Sequence, residues 1–295
     1  MQEIEDKIGF VINSFNSDKN YFIHQLKDCS INDFKIFSEN EVPKETNKDE
    51  YLKICSGLVK KLKDNQFKKV VLSRVMKTKT NHQPMEILNQ LNENYKNTFN
   101  YVVSIENVGC WIGTTPEMLA EFENKSFKTV ALAGTKTDLN TSWSCKEIEE
   151  QQYVTDFIYR QVKPLVMHIE KTPTQTIKAG QVYHLKTNFT AELKNKKDWT
   201  NIVNTLHPTP ATCGLPKNQS QKLINAIEMH QRLFYTGFLG LINPNYKLLM
   251  VNLRCMQIIN GMAYLYLGGG ITAQSVPEQE WIETQNKAKT LLSVI

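Results

Sequence analysis

The sequence predicts an α+β fold with large sheets covered by helices, and three observations predict it. Strand-like runs come in groups instead of alternating strictly with helices. Several helical segments carry apolar residues at 3.6-residue spacing. No internal repeat and no polar linker divides the 295 residues, so one domain is the simpler reading.

Residues 1–47 are polar, and only "FVINSF" and "YFIHQL" read as short strands. "KDEYLKICSGLVKKLKDN" puts Tyr51, Ile54, Leu58 and Leu62 on one helical face. The Val-rich "KKVVLSRVMKT" reads as a strand and "MEILNQLNENY" as a helix. From "NYVVSIENVG" to "VALAG" the pattern is several strands joined by short turns. "SWSCKEIEEQQYVTDFIYRQVKPLV" is a long helix, capped by Ser142 or Ser144 and ended near Pro164. "QTIKAGQVYHLKTNFTAEL" returns to strand, and "DWTNIVNTL" is a helix ended by "HPTPATCGLP", whose prolines stiffen the loop. "SQKLINAIEMHQRL" is helical; "FYTGFLGLI", "KLLMVNLRCMQII" and "MAYLYLGGGI" are strands; a final helix carries "QEWIETQNKAK".

Composition narrows the function classes. Hydrophobic residues make up 41% and charged residues 22%, which is ordinary for a globular chain. The net charge of +5 comes from scattered lysines, without the basic stripe and recognition motif of a nucleic-acid binder. It is compatible with an anionic small substrate. The six cysteines (29, 55, 110, 145, 213 and 255) show no C-x-x-C and no zinc spacing, and read as small buried hydrophobes in a reducing compartment. "MQEIEDKIGF" lacks a signal-peptide core, and no apolar run approaches a membrane span, so a cytoplasmic protein is expected.

Two acidic pairs stand out. Glu147 and Glu150 lie three residues apart on one helix, Glu280 and Glu283 on another, and i, i+3 spacing puts each pair on one face. Such a pair reads equally as a solvated face. Two pairs facing each other would need a cation between them, and oxygen donors suit Mg²⁺. A di-iron site is excluded because no Glu-x-x-His occurs. Gly268, Gly269 and Gly270 end an apolar strand, either as a tight turn or as bare backbone approaching an anion. Lys69 opens a strand; as a base it would need burial or a neighbouring cation. Glu117 follows a turn, where burial would make it an acid. Arg254 lies inside an apolar strand, either facing solvent or clamping a carboxylate. His207 opens the proline loop, and its plain reading is structural.

Taken in order, "KVVLSR", "TTPEML", "ALAGT", "KEIEE", "LHPTPATCGLP", "FYTGFLG", "NLRCMQI", "LYLGGGIT" and "PEQEWIETQNKA" resemble the chorismate-binding enzymes: isochorismate, salicylate, anthranilate and aminodeoxychorismate synthases. The resemblance runs from about residue 48 to the C-terminus. It implies a 48–295 catalytic domain, with 1–47 as a short strand region packing on it. The implied fold is α+β, two large mostly antiparallel sheets packed as a sandwich with helices outside and the site between the sheets. It also answers why the acidic pairs exist. In the family they converge on one Mg²⁺ that holds the chorismate ring carboxylate. Glu150 and Glu283 match the most direct ligands, and Glu147 and Glu280 lie in or beside the shell. Lys287 and Arg254 match carboxylate-binding positions, Gly268 to Gly270 an anion cradle, and His207 and Thr135 the ring pocket.

The branch is argued from chemistry. Family members that add ammonia carry Gln where this chain has Lys69, and lysine can activate water whereas glutamine cannot. Ala211 stands where the aminating and pyruvate-eliminating members usually carry Thr. Together they point to isochorismate synthase, an isomerase, with Lys69 as base and Glu117 as acid. Its product would feed menaquinone or siderophore synthesis, and it would work as a monomer without a glutamine amidotransferase subunit. Salicylate synthase, which shares the lysine, and a catalytically silent chorismate binder are the alternatives. Two departures stand: Gln151 replaces a usual His, and the region before the shared core is short.

Overall fold

The computed structural model describes residues 7–24, 34–37, 41–136, 138–179 and 182–295. Cys29, all of "MQEIED" and the end of "YFIHQL" lie outside the described residues. The chain opens with a hairpin, β1 (Gly9–Asn13) and β2 (Asn20–His24), followed by α1 (Lys48–Lys63), β3 (Lys69–Lys79) and α2 (Pro84–Asn94). Strands β4 (Phe99–Ile105), β5 (Gly109–Thr115), β6 (Met118–Glu123) and β7 (Ser126–Lys136) precede α3 (Cys145–Val162). Then come β8 (Val166–Lys171), β9 (Gln175–Ala179), β10 (Val182–Leu193), α4 (Trp199–Leu206), β11 (Gly214–Leu215) and α5 (Lys217–Ile227). The last third holds β12 (Phe238–Ile242), β13 (Tyr246–Val251), β14 (Cys255–Ile259), β15 (Met262–Ile271) and α6 (Pro277–Leu292).

Among the described residues the strands form two sheets. A nine-stranded sheet runs β2-β1-β12-β13-β6-β7-β10-β8, with β9 also on β10; a six-stranded sheet runs β11-β3-β15-β14-β5-β4. The pairings are antiparallel, so one face of each sheet can pack and the other be covered separately. Ile12, Leu239 and Met250 of the larger sheet meet Val75, Trp111 and Tyr266 of the smaller in a shared core. Trp111 stacks on Tyr266 with ring centroids 5.1 Å apart. Outside the larger sheet, Phe122, Phe127 and Phe189 pack under Val154 and Ile158 of α3 and Trp199 and Val203 of α4. Outside the smaller, one cluster joins Ile112 and Leu265 to Leu91 of α2 and Ala288 and Leu291 of α6. Another joins Val70 and Leu72 to Tyr51, Cys55 and Leu58 of α1 and Ile224 of α5. The result is the expected sandwich with helices outside.

Local chemistry sets the helix starts. Asn47 and Glu50 form a reciprocal capping box on α1. Ser144, one of the two anticipated caps, does the same with Glu147 on α3. Pro84 and Pro277 sit at helix starts, where the missing N–H is not needed.

Several expectations need correction. "KLLMVNLRCMQII" is not one strand: β13 ends at Val251 and β14 begins at Cys255 in the other sheet. Arg254 is therefore not inside a strand; it lies in the passage between sheets with φ +45°. The helix expected over "SQKLINAIEMHQRL" stops at Ile227. "VMHIEK" is a strand, β8, that pairs with β10. The described cysteines are free, but Cys145 is exposed at the start of α3 rather than buried. Strand β1 pairs along its length with β12 of the larger sheet. No helix among the described residues is long and apolar enough to cross a membrane.

Candidate active site

The glycine run is not a tight turn; it forms the end of an apolar strand, as expected. Gly268, Gly269 and Gly270 lie in the ladder of β15, opposite Ser73, Leu72 and Val71 of β3. Strand pleat sends Gly268 and Gly270 to one face and Gly269 to the other. A Cβ at Gly270 would overlap Glu150 Oε1 and come within 2.7 Å of Lys69 Cε. At Gly269 it would lie 3.5 Å from both Glu280 Oε2 and Glu283 Oε1. At Gly268 it would meet the Tyr235 hydroxyl at 2.6 Å. Side-chain-free backbone is thus what lets carboxylates of α3 and α6 come down onto one strand.

Each of these carboxylates has a partner of its own. Lys69, fully buried, reaches Glu150 Oε1 at 2.7 Å. Lys287 Nζ lies 2.6 Å from Glu283 Oε1 and donates to the Gly268 carbonyl at 2.9 Å. Lys146 reaches Glu280 Oε1 at 2.6 Å. Glu147 accepts from the Ser144 amide at 3.0 Å and from its hydroxyl. Burial raises the Glu280 pKa, and the like charge of Glu283 adds to that. Burial also works on Glu283, but Lys287 and Lys146 outweigh it and hold the carboxyl below its ordinary value.

The carboxylate set can be judged against the metal that the sequence leads one to expect. No preassembled group of three or more metal-type side chains exists among the described residues. The set is nevertheless oxygen-only, as a hard cation requires. Glu280 is 2% exposed, and its Oε2 has no hydrogen-bond partner. The bare Gly269 face lies beside two carboxylates and the Gly270 face beside a third. These features fit a hard divalent ion.

Behind the glycines a cavity of about 710 Å³, counting its open mouth, lies between the sheets. It is lined by Glu117, Thr135, Glu150, Ala211, Arg254, Gly268 to Gly270 and Lys287 among the anticipated residues. Glu117 follows β5 and is 4% exposed; its backbone carbonyl accepts from the Val251 amide at 2.9 Å. Burial pushes its carboxyl up to about 7, against the pull of Lys69, Arg254 and Lys287. Arg254 lies across the sheet junction, and burial lowers its pKa while Tyr235, Glu283 and Glu117 support its charge.

His207 is not among the cavity-lining residues. It faces the Ser14 carbonyl at 3.2 Å through Nε2 and packs edge-on against Phe238. The histidine that does line the cavity is His184 of β10, which sequence reading passed over. Its Nδ1 lies 2.8 Å from the Gly134 carbonyl and 3.3 Å from Thr135 Oγ1. Burial drives its pKa down to about 4, so the ring is neutral near pH 7. The one available signal was a lone His in a strand of otherwise mixed apolar and polar residues. Gln151, in place of the usual His, is buried and donates to the Ala131 carbonyl and Thr187 Oγ1, both at 3.1 Å. It ties α3 to β7 and β10 rather than facing the carboxylates.

The family model described as "Chorismate binding enzyme" matches residues 4–295. An isochorismate synthase MenF of Pasteurella multocida is 27% identical over 254 residues, 80% of this chain and 59% of that protein. An anthranilate synthase component 1 of Acetivibrio thermocellus is 26% identical over 280 residues, 88% of this chain and 55% of that protein. The chain spans about half the length of the curated relatives it matches. Among solved structures, the menaquinone-specific isochorismate synthase MenF of Escherichia coli superposes with a TM-score of 0.84 at 20% identity, covering 99% of this chain and 79% of that one.

Proposed function

The chain belongs to the chorismate-binding enzyme family, and on that premise we propose that it converts chorismate reversibly to isochorismate in a Mg²⁺-dependent exchange of hydroxyl positions. The observation that carries this reading is a buried Lys69 packed against Gly270, one of the glycines of a cavity that Glu117, its carboxyl raised to about 7, also lines. A lysine there supports water as nucleophile, and ammonia-adding relatives carry Gln. Ala211 lines the cavity without a hydroxyl, which further supports a reaction that stops at isochorismate.

In the forward direction water adds at C2 of the ring, and Lys69 as free amine takes its proton. The ring double bonds shift, and the C4 hydroxyl departs with a proton from Glu117. The reverse reaction exchanges the two roles. Lys69 Nζ lies 2.7 Å from Glu150 Oε1, so the base role requires Glu150 to be engaged elsewhere. Arg254 and Lys287 supply positive charge for the substrate carboxylates. Thr135 and His184 wall the cavity beside them, with the neutral imidazole fixed by Gly134. Glu150 and Glu283 would hold Mg²⁺, with Glu280 and Glu147 in or beside its shell. When bound, the ion neutralises and orients the ring carboxylate.

We place the enzyme in the cytoplasm, acting as a monomer without a glutamine amidotransferase subunit. Incubation with chorismate and Mg²⁺, followed by chromatography, tests the reading. Isochorismate without pyruvate is expected. Stoichiometric pyruvate and salicylate would move the assignment to salicylate synthase, and unchanged chorismate would leave a silent binder.

A further inference from the structure

Lys146 entered neither the sequence argument nor the reaction above, yet it stands at the centre of the acidic cluster. It opens α3, its side chain is 20% exposed, and its ammonium lies 2.6 Å from Glu280 Oε1. Lys146 of α3 is thereby tied to a carboxylate of α6. Glu280 is 2% exposed, and its second oxygen, Oε2, has no hydrogen-bond partner and faces the bare Gly269 position. A second hollow opens on the outer side of these groups, between α3 and α6. Lys146, Glu147, Glu280 and Glu283 line it, and it shares Thr135 with the main cavity.

We propose that Lys146 is a built-in competitor of the divalent cation: its ammonium satisfies Glu280 in the metal-free protein and so weakens the grip of the site on the ion. The inference rests on the metal assignment made under the proposed function. The physical reason is short. A cation binding among Glu150, Glu280 and Glu283 meets a positive charge already in contact with one of them, and Coulomb repulsion at low local dielectric is not negligible. In exchange, the buried Glu280 carboxylate is never left unpaired, which would be costly. Lys146 is thus a positioning residue that acts through Glu280, and it keeps the site from holding the ion tightly before the anionic substrate arrives.

The sign of one measurement separates this from a merely structural role. Purified protein is titrated with MgCl₂ alone at pH 8 by calorimetry, with no substrate and no turnover. Lys146→Gln and Lys146→Met should bind Mg²⁺ roughly tenfold more tightly than the unsubstituted chain, the order that removal of one nearby charge gives at intermediate dielectric. Lys146→Arg should bind as the unsubstituted chain does. If both neutral variants bind Mg²⁺ equally or more weakly, Lys146 only buttresses Glu280 and the proposal falls. A second readout needs no variant. On the unsubstituted chain, acylation of Lys146 by an amine-reactive ester, read by mass spectrometry, should rise when Mg²⁺ is added, and an unchanged or lower rate overturns the proposal. Glu283→Ala should bind no Mg²⁺. If the unsubstituted chain shows no saturable Mg²⁺ binding, the metal assignment itself fails; if it binds and only the Lys146 variants disagree, that assignment stands and competition alone is wrong.

Discussion

Helices α3 and α6 carry the same acidic spacing, yet the fold treats the two pairs differently. On α6, Glu280 is 2% exposed and Glu283 lies against the glycine strand. On α3, Glu150 reaches that strand, but Glu147 turns back to close the capping box with Ser144. The difference arises from position along each helix. Glu147 is at N3, where a carboxylate satisfies the free amide of the cap. Glu280 lies one position later in its helix, at N4 of α6, and its carboxylate turns inward to Lys146. Equal spacing in sequence therefore does not mean equal roles: the second glutamates are equivalent, and the first ones are not.

The largest effects should come from the equivalent pair. Glu150→Ala and Glu283→Ala should each abolish isochorismate formation while far-ultraviolet circular dichroism stays unchanged, and a chelator should do the same to the unsubstituted chain until Mg²⁺ is restored. Retention of a tenth of the activity by either variant would break the equivalence. Next come the groups that move protons. Lys69→Gln and Glu117→Gln should each lower kcat by about 10²–10⁴-fold with little change in KM. The double variant should be little worse than the poorer single one, because the two act in one step.

The pH profile sharpens the assignment of Glu117. An acid must be protonated, so the forward rate should fall as pH rises past about 7, where Glu117 ionises. Its folded-state pKa lies above the ordinary 4.5, so the folded chain binds the extra proton between about 4.5 and about 7. The stability that proton contributes is present below that window and lost as pH rises through it. Comparing denaturant midpoints at pH 5 and pH 8 should show a decline that Glu117→Gln flattens. A rate and a stability both indifferent to pH here would remove Glu117 as the acid.

Glu147→Ala should have the smallest effect. Loss of half a capping box costs about 1 kcal/mol of stability, visible as a lower Tm, with kcat within a few-fold. A loss comparable to that of Glu150→Ala would make Glu147 a direct ligand and erase the asymmetry between the helices.

Much of this was legible from local pattern. The amphipathic α1, the Val-rich β3 and the Ser144 cap follow from periodicity and capping chemistry, which are properties of neighbouring residues. The acidic pairs and the glycines were visible for the same reason. What could not be read was the meeting of distant segments. Nothing within "VNLRCMQII" marks the change of sheet, because residues of both strands are buried and apolar on either side of Arg254. His184 and His207 are both buried and near-neutral, and only tertiary structure separates the one lining the cavity from the one tied to Ser14. Lys146 looked like one solvated lysine among many until Glu280, 134 residues away in sequence, lay beside it.

Arg254 has one more consequence. The short passage it belongs to is fastened at both ends. The Asn252 backbone bonds Thr236 and Gly237 beside the larger sheet at 2.8 Å, and the Arg254 carbonyl accepts from Thr114 of the smaller sheet at 3.1 Å. Its φ of +45° is a conformation a non-glycine residue keeps only under such restraint. The guanidinium is thereby mounted on the joint itself, like a needle on a hinge pin. Any slip of one sheet against the other swings the charge that the proposed reaction sets against the substrate carboxylates, so affinity for the ligand would act as a gauge of sheet alignment. Gentle warming should blunt that gauge before it melts the fold.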